Sequence, residues 1–471
     1  MMKRHQNPRP GQKVGMIRAA KMRDLVFVGF LLALFGVGFR RPFVFVLAYV
    51  YIDIVSPQRL TYVLLNTVPI SLIAVVLAVG AWMMVDDKRN TRFAPRQLLI
   101  LILALYCWVT TTQADFPVEA AEKWSWVWKA LAFAIFLPLT LRTRLRIEAL
   151  ALFMVLSAAS IIIIGGIKTL GSGGGYGALN LMVTNNTGLY ESSIISCVAI
   201  AIIPLILFLM RYGTIFPTDW RVRLFALALC FSSLLMPIGT EARTGLICIG
   251  VLAVLMLRHT KRRFLYLGLA AVLAVVAMPL LPDSFASRMN TIKNYKGDSS
   301  ASTRIEVWKW TWGYVKEHPF GGGFNAYLQN KIRYEAVKTE ENGAVATQEG
   351  TLVIDKARAY HSSYFEMLGE QGFPGLILWL MIQAIGIVRM ESVRRRYINR
   401  SRDEDQWIGA LAEALQHGQL IYLVGALFVG IAYQPFIFML IGMQIGLDTY
   451  AKRRATEAAW RPIRDIVPAP A

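Results

Sequence analysis

Four polar blocks in a mostly apolar chain carry residue types suited to proton transfer and anion binding. The first is Tyr360-His361-Ser362-Ser363-Tyr364-Phe365-Glu366-Met367-Leu368-Gly369-Glu370. An imidazole with a pKa of about 6.5 accepts a proton at neutral pH, so His361 is a candidate general base. A lone histidine is more often structural or merely exposed. This one stands where a long hydrophilic segment meets an apolar run, which strengthens the functional reading. Read as a helix, His361 and Tyr364 share a face at i, i+3, while Glu366 and Glu370 pair at i, i+4 on a different face. The carboxylates therefore need not orient the imidazole; capping, or pairing with an arginine elsewhere, is open to them.

The second block, Ser302-Thr303-Arg304-Ile305-Glu306, reads as a helix start with Ser302 or Thr303 as N-cap. Trp308 and Trp312 follow Arg304 at i+4 and i+8, so one face holds a guanidinium and two indoles. It reads as an interfacial helix with tryptophans at headgroup level and as a site wall, with Arg304 for an anion and aromatic faces for sugar rings or lipid; the two readings are compatible. The third block is Gly239-Thr240-Glu241-Ala242-Arg243-Thr244-Gly245, a short turn between apolar runs. An arginine at such depth is costly and usually has a partner or a function. Its planar fork suits a diphosphate, and a surface pair with Glu241 is the plainer alternative. The fourth is the Gly-rich turn from Gly171 to Asn186, followed by Glu191 at the entry to an apolar run.

Other chemistries find little support. His318-Pro319-Phe320-Gly321-Gly322-Gly323 lacks the strand before it and the helix after it that a phosphate-cradling loop needs. The five histidines are scattered, no metal-ligand spacing of His and Cys occurs, and no G-x-S-x-G elbow is present. The D-x-D-like string Asp403-Glu404-Asp405 belongs, by the parity argument below, to the side opposite the other candidates. No metal or other cofactor is expected. Cys107, Cys197, Cys230 and Cys248 all lie in apolar runs, as small buried side chains do.

The elements that must position these residues are membrane helices. Of 471 residues, 55% are hydrophobic and only 17% charged, and mean hydropathy is +0.46. That is too little charge for a soluble enzyme or a disordered chain, and it fits a polytopic membrane protein. The formal charge of +20 is spread over short segments between apolar runs, as the positive-inside rule requires, with no compact basic domain to bind nucleic acid.

Parity lays the chain across the bilayer. Basic clusters near residues 88–96, 142–146, 221–223, 261–263 and 394–396 mark the cytoplasmic side. Paired apolar runs between them (97–112 with 126–140, 148–167 with 188–210, 224–238 with 244–257) place three turns on the opposite side. Run 264–281 exits and 373–388 returns, which puts the hydrophilic segment between them outside. The region 419–447 reads as two short helices broken near Pro435. Of the early runs 25–39, 42–55 and 62–85, parity at Arg40 and Arg41 makes 25–39 an interfacial or re-entrant candidate. The expected architecture is an all-α polytopic membrane protein with about 12 spans and both termini inside. Its parts are a basic cytoplasmic tail (1–24, with no cleavage site evident), N-terminal spans (25–281), a loop domain (282–372), C-terminal spans (373–450) and a cytoplasmic tail (451–471).

With these blocks in place, the chain resembles the bacterial O-antigen ligase/polymerase superfamily, most of all the O-antigen ligases and the related exosortase-associated O-glycosylation ligases. The resemblance rests on His361-Ser362-Ser363-Tyr364…Glu366…Leu368-Gly369-Glu370…Gly372…Gly375, on Arg304…Trp308…Pro319…Gly321-Gly322-Gly323, and on Glu241-Ala242-Arg243-Thr244-Gly245. Ser56-Pro57-Gln58-Arg59-Leu60 is similar to the ligase subgroup. The chain departs from the pattern in Glu241-Ala242, where many relatives carry a small polar residue before the arginine, and in a plainer polar string around Asn185-Asn186.

The resemblance implies a GT-C-like membrane glycosyltransferase in the bacterial inner membrane, multi-pass, with its active site facing the periplasm and no metal or nucleotide required. The donor would be a glycan on undecaprenyl diphosphate and the acceptor a sugar hydroxyl of lipid A–core oligosaccharide, both reaching the site through membrane lipid. His361 would take the acceptor proton, and Arg243, Arg304 and Arg288 would bind the diphosphate, in a direct displacement that inverts the anomeric centre. Tyr364, Glu366, Glu370, Glu191, Asn186 and Trp308 would support them. The rivals are an O-antigen polymerase or a protein O-oligosaccharyltransferase with the same donor, and, from another class, a lipid-linked glycan flippase.

Overall fold

A computed structural model of the chain describes residues 10–61, 64–65, 67–88, 91–174, 188–258, 261–265, 268, 272, 299–342, 345–397 and 403–459. The order is α1 (Pro10–Arg40), α2 (Phe43–Val55), α3 (Pro57–Leu60), α4 (Ile70–Met84), α5 (Pro95–Thr112), α6 (Pro117–Thr140), α7 (Arg144–Ser172), α8 (Ser192–Ala201), α9 (Ile203–Tyr212), α10 (Trp220–Gly239), α11 (Arg243–Leu257), α12 (Ser299–Glu317), β1 (Lys331–Asn342), β2 (Val345–Lys356), α13 (Ser363–Tyr397), α14 (Asp403–Gly425) and α15 (Pro435–Ala459).

Six helical stretches among the described residues are long and apolar enough to cross a bilayer: Met22–Arg40, Pro95–Thr112, Arg144–Ser172, Ser192–Tyr212, Trp220–Gly239 and Ser363–Tyr397. Phe43–Val55, Ile70–Met84 and Arg243–Leu257 are shorter apolar helices. The architecture is that of a helical, multi-pass membrane protein. Most of the expected span 264–281 lies outside the described residues.

Several boundaries differ from those read along the chain. The run 25–39, an interfacial or re-entrant candidate by parity, lies within one continuous helix, α1, which also takes in part of the expected tail, because no proline interrupts it before Pro42. Among the described residues of run 62–85, Ile70–Met84 forms the long helix, and Pro69 precedes it. The break near Pro435 is real, but α14 begins at Asp403 and α15 continues to Ala459, so both helices outrun the apolar stretch that signalled them. The four cysteines are free; Cys107, Cys197 and Cys248 are buried and Cys230 is half-buried.

The loop domain is not all-α. α12 starts at Ser299, so Ser302 and Thr303 lie inside it and do not cap it. β1 and β2 form an antiparallel hairpin with Lys331 opposite Lys356 and Asn342 opposite Val345. In the sequence, the Asn342-Gly343 dipeptide is a hairpin signal.

Polar contacts sort the bundle into two ends. At one, Arg146 meets Asp86 at 2.6 Å, Arg144 meets Glu148 at 2.6 Å and Arg389 meets Asp448 at 2.7 Å, joining the basic segments. At the other, the turn at Asp115 meets the loop domain: Tyr314 donates to its carboxylate at 2.5 Å and Gln329 at 2.7 Å. Within the bundle, Arg96 donates to Gln444 at 2.9 Å, Gln444 to Gln419 at 2.8 Å and Gln419 to Gln383 at 2.7 Å, linking α5, α15, α14 and α13. In an apolar surround such bonds hold helices in register, each contributing roughly 0.6 kcal/mol.

Candidate functional site

His361 lies just before α13 and not on it, with φ of +48°. A non-glycine residue held in the left-handed region costs roughly 1–3 kcal/mol and persists only where its surroundings fix it. Here both neighbours are fixed. Tyr360 is buried, its ring close under Gly369, where a Cβ would collide with it. Its carbonyl accepts a 2.9 Å hydrogen bond from Trp308 Nε1, and Trp308 stacks on Phe365 at 5.0 Å. On the other side Ser363 Oγ donates to Val429 O at 2.9 Å and accepts from Ile431 N at 2.8 Å, while Ser363 N donates to Ala426 O. The helical pairing of His361 with Tyr364 is therefore absent: Tyr364 donates to Leu423 O at 3.1 Å and meets the Trp379 ring edge-on.

The imidazole remains open to solvent, yet enough protein surrounds it to perturb it. Desolvation, together with the positive fields of Arg304 and Arg358, lowers its pKa to about 4. It is a neutral base beside two cations. Arg304 projects from the first turns of α12, and its field reaches Glu191 as well as His361. Glu191 is the N-cap residue of α8, where a negative charge suits the helix dipole. The Arg243 turn packs on the same helix: Ser196 of α8 bonds Thr240 at 2.6 Å, and a Cβ on Gly245 would crowd Ser196. His361, Arg304 and Glu191 thus form one electrostatic cluster, and the Arg243 turn abuts the helix that Glu191 caps. Arg288 and Asn186 lie outside the described residues.

Glu366 and Glu370 turn away from the imidazole, as their helical face requires. Their partner is a lysine and not an arginine. Lys123 Nζ on α6 stands 2.7 Å from Glu366 Oε1 and 2.8 Å from Glu370 Oε1, over the rings of Phe324 and Tyr433. Glu370 also accepts from Asn325 N at 3.0 Å and Glu366 from Ala432 N at 3.1 Å. This buried cluster ties α6, the loop domain, the start of α13 and the segment before α15 into one frame under His361. The N–H and ring of Trp308 both hold the histidine segment.

The glycine run is a packing device. Gly372, at φ +64°, breaks α13, and Gly321, at φ +81°, lies against that break so closely that a Cβ on either would strike the other's backbone. Gly322 N donates to Gly369 O and Gly323 N to Glu370 O, so these amides are spent on the helix and do not face a phosphate.

Three contributors escape local reading. Arg358, three residues before His361, meets Asp355 at 2.6 Å and faces the imidazole. Buried Asn330 holds its backbone, accepting from Arg358 N at 2.9 Å and donating to Arg358 O at 2.7 Å. Lys123 carries no signal beyond a pair of carboxylates in need of a cation. Among the described residues no three His, Cys, Asp or Glu side chains gather closely enough to hold a metal ion.

Residues 22–214 match a family of unknown function, DUF5935. Residues 225–380 match the O-antigen ligase family, a stretch that contains Arg243, Arg304, Trp308, Arg358, His361, Glu366 and Glu370. Lys123 and Glu191 come from the first segment, so the cluster is assembled from both. No curated protein matches the chain. The O-antigen ligase match thus falls on the stretch that supplies His361, Arg304 and Arg358, the base and guanidinium groups brought together in the fold.

Proposed function

We propose that the protein is an O-antigen ligase: a GT-C-like glycosyltransferase of about 12 spans in the bacterial inner membrane. It moves a glycan from undecaprenyl diphosphate to a sugar hydroxyl of lipid A–core oligosaccharide at the periplasmic face. The observation that carries the reading is the neutral imidazole of His361, held on a constrained backbone within the fields of Arg304 and Arg358. A ligase/polymerase-type protein with lipid-linked glycan substrates needs a base for the acceptor hydroxyl and fixed cations for a diphosphate leaving group, and the cluster offers both.

In the reaction, the acceptor oxygen forms a bond to the anomeric carbon as His361 takes its proton. The bond from that carbon to the diphosphate oxygen breaks, and the electron pair leaves with the diphosphate. Arg304, Arg243 and Arg288 bind that group, and Arg358 adds to the positive field. Cations that gain interaction as charge develops lower the barrier. The displacement inverts the anomeric centre. Glu191 orients Arg304, while Trp308 and the Lys123–Glu366–Glu370 frame hold the histidine segment. No step requires a metal ion.

The test uses the full chain in detergent with purified donor and, in parallel, three acceptors: lipid A–core, a second lipid-linked glycan and a Ser/Thr-containing protein. Transfer to lipid A–core alone, with release of undecaprenyl diphosphate, is expected. His361→Ala should reduce it by about 10²–10⁴-fold; near-normal turnover would end the base assignment. Preference for another acceptor would make the chain a polymerase or protein glycosyltransferase, and loss of activity in EDTA restored by a divalent ion would overturn the metal-free mechanism.

A further inference from the structure

About 15–27 Å along α10 from the Arg243 turn, at 1.5 Å per residue, α7, α9 and α10 enclose a separate cavity of about 390 Å³. α7 and α10 pack tightly at Gly166, where a Cβ would crowd Ser232. Toward the start of α10 a gap between them is lined by Leu152 and Val155 of α7, Ile206 of α9, and Phe225, Ala226 and Leu229 of α10. Each set follows the spacing of one helix face, so the gap is an apolar wedge. Its flank faces outward, with Trp220, Leu224 and Phe225 exposed.

Two charged residues stand at the wide end. Glu148 is fully engaged: Arg144 meets it at 2.6 Å, and Thr214 donates to it through N at 2.8 Å and Oγ1 at 2.6 Å. Arg221 is exposed, with its guanidinium 5.7 Å from the Trp220 ring centre, and Arg223 follows it. The mouth is therefore positive while the interior is apolar. In a bilayer such a wedge is filled by hydrocarbon, and a guanidinium at its rim selects an anionic head.

We propose that this cavity binds one acyl chain of an anionic glycerophospholipid, whose phosphate pairs with Arg221. The inference relies on these helices spanning a membrane and not on the transfer chemistry. On the proposed function the donor's diphosphate is held at the His361 end, and the lipid proposed here, with its phosphate at Arg221, is a different molecule.

Native mass spectrometry of the full chain in neutral detergent tests this with phosphatidylglycerol and phosphatidylcholine of identical chains. The unaltered protein should retain phosphatidylglycerol about 5-fold better, as one cation at a membrane surface would give. Arg221→Gln should bring the ratio close to one, and Ala226→Phe, which fills the wedge, should remove retention of both lipids. Equal retention of the two lipids by the unaltered protein, or an unchanged ratio in Arg221→Gln, would overturn the proposal, as would displacement of phosphatidylglycerol by equimolar undecaprenyl phosphate. Arg221 is at the surface, so its variant decides the matter even if Ala226→Phe does not fold. Glycan transfer by Arg221→Gln in detergent should be unchanged, which separates this proposal from the ligase reading.

Discussion

The indole N–H of Trp308 donates a 2.9 Å hydrogen bond to the carbonyl oxygen of Tyr360, the residue directly before His361. One helix of the loop domain thereby sets the backbone of the candidate base and also carries Arg304, the cation proposed to bind the leaving group. Base and cation are coupled through four residues of α12, so a shift of that helix moves both.

Trp308→Phe keeps the aromatic stack on Phe365 and removes the donor. The buried Tyr360 carbonyl then loses its partner, at a cost of about 1–3 kcal/mol. A small displacement of His361 should lower kcat by roughly 10-fold with the donor KM little changed, since misplacement of a reacting group acts on the transition state. Steady-state kinetics of the purified variant checks this; an unchanged kcat would mean the bond does not position the base.

The pH dependence follows from the environment of His361. Only the neutral imidazole accepts a proton, and desolvation with the fields of Arg304 and Arg358 lowers its pKa to about 4. A lowered pKa keeps the active form present further into acid. The value of kcat/KM should therefore stay level from neutral pH to about pH 5 and fall below that. A limb at the ordinary histidine value of about 6.5 would show that neither burial nor the two cations perturb this ring in solution.

Arg304→Ala should reduce kcat/KM by about 10²–10³-fold, as loss of a charge-stabilising donor does elsewhere. It should also move the acid limb upward, because one of the fields that lowers the His361 pKa is gone. Rate and pH profile measured together separate this role from simple misfolding, which would lower the rate without shifting the limb.

Lys123→Met leaves Glu366 and Glu370 facing each other in a buried site without their 2.7 Å and 2.8 Å ion pairs. Breaking a buried pair by removing one partner costs about 3–5 kcal/mol. Thermal unfolding in detergent should show a large fall in Tm, partly recovered when Glu370→Gln is added. No recovery would mean that the lysine contributes by packing and not by charge.

Much of the architecture was legible along the chain because the bilayer imposes it. A span must be apolar over a fixed length, and lysine and arginine must collect on one side. These demands are local, so they mark most of the helices, the hydrophilic excursion and the free cysteines. His361, Arg304 and Arg243 stood out for a related reason: polar groups at a membrane surface are few and costly. The matched O-antigen ligase segment, 225–380, contains all three. Partnership was a different matter. Lys123 lies 243 and 247 positions from Glu366 and Glu370, and no local pattern could choose it, because only the packing of α6 on α13 brings the charges together. Folding likewise took His361 off the helix that its spacing suggested and set it beside Arg358. It also spent the amides of Gly322 and Gly323 on the backbone of α13. Periodicity and charge are properties of a segment; a buried ion pair, a field at an imidazole and a close backbone crossing are properties of two segments at once, and they exist only where the chain returns to itself.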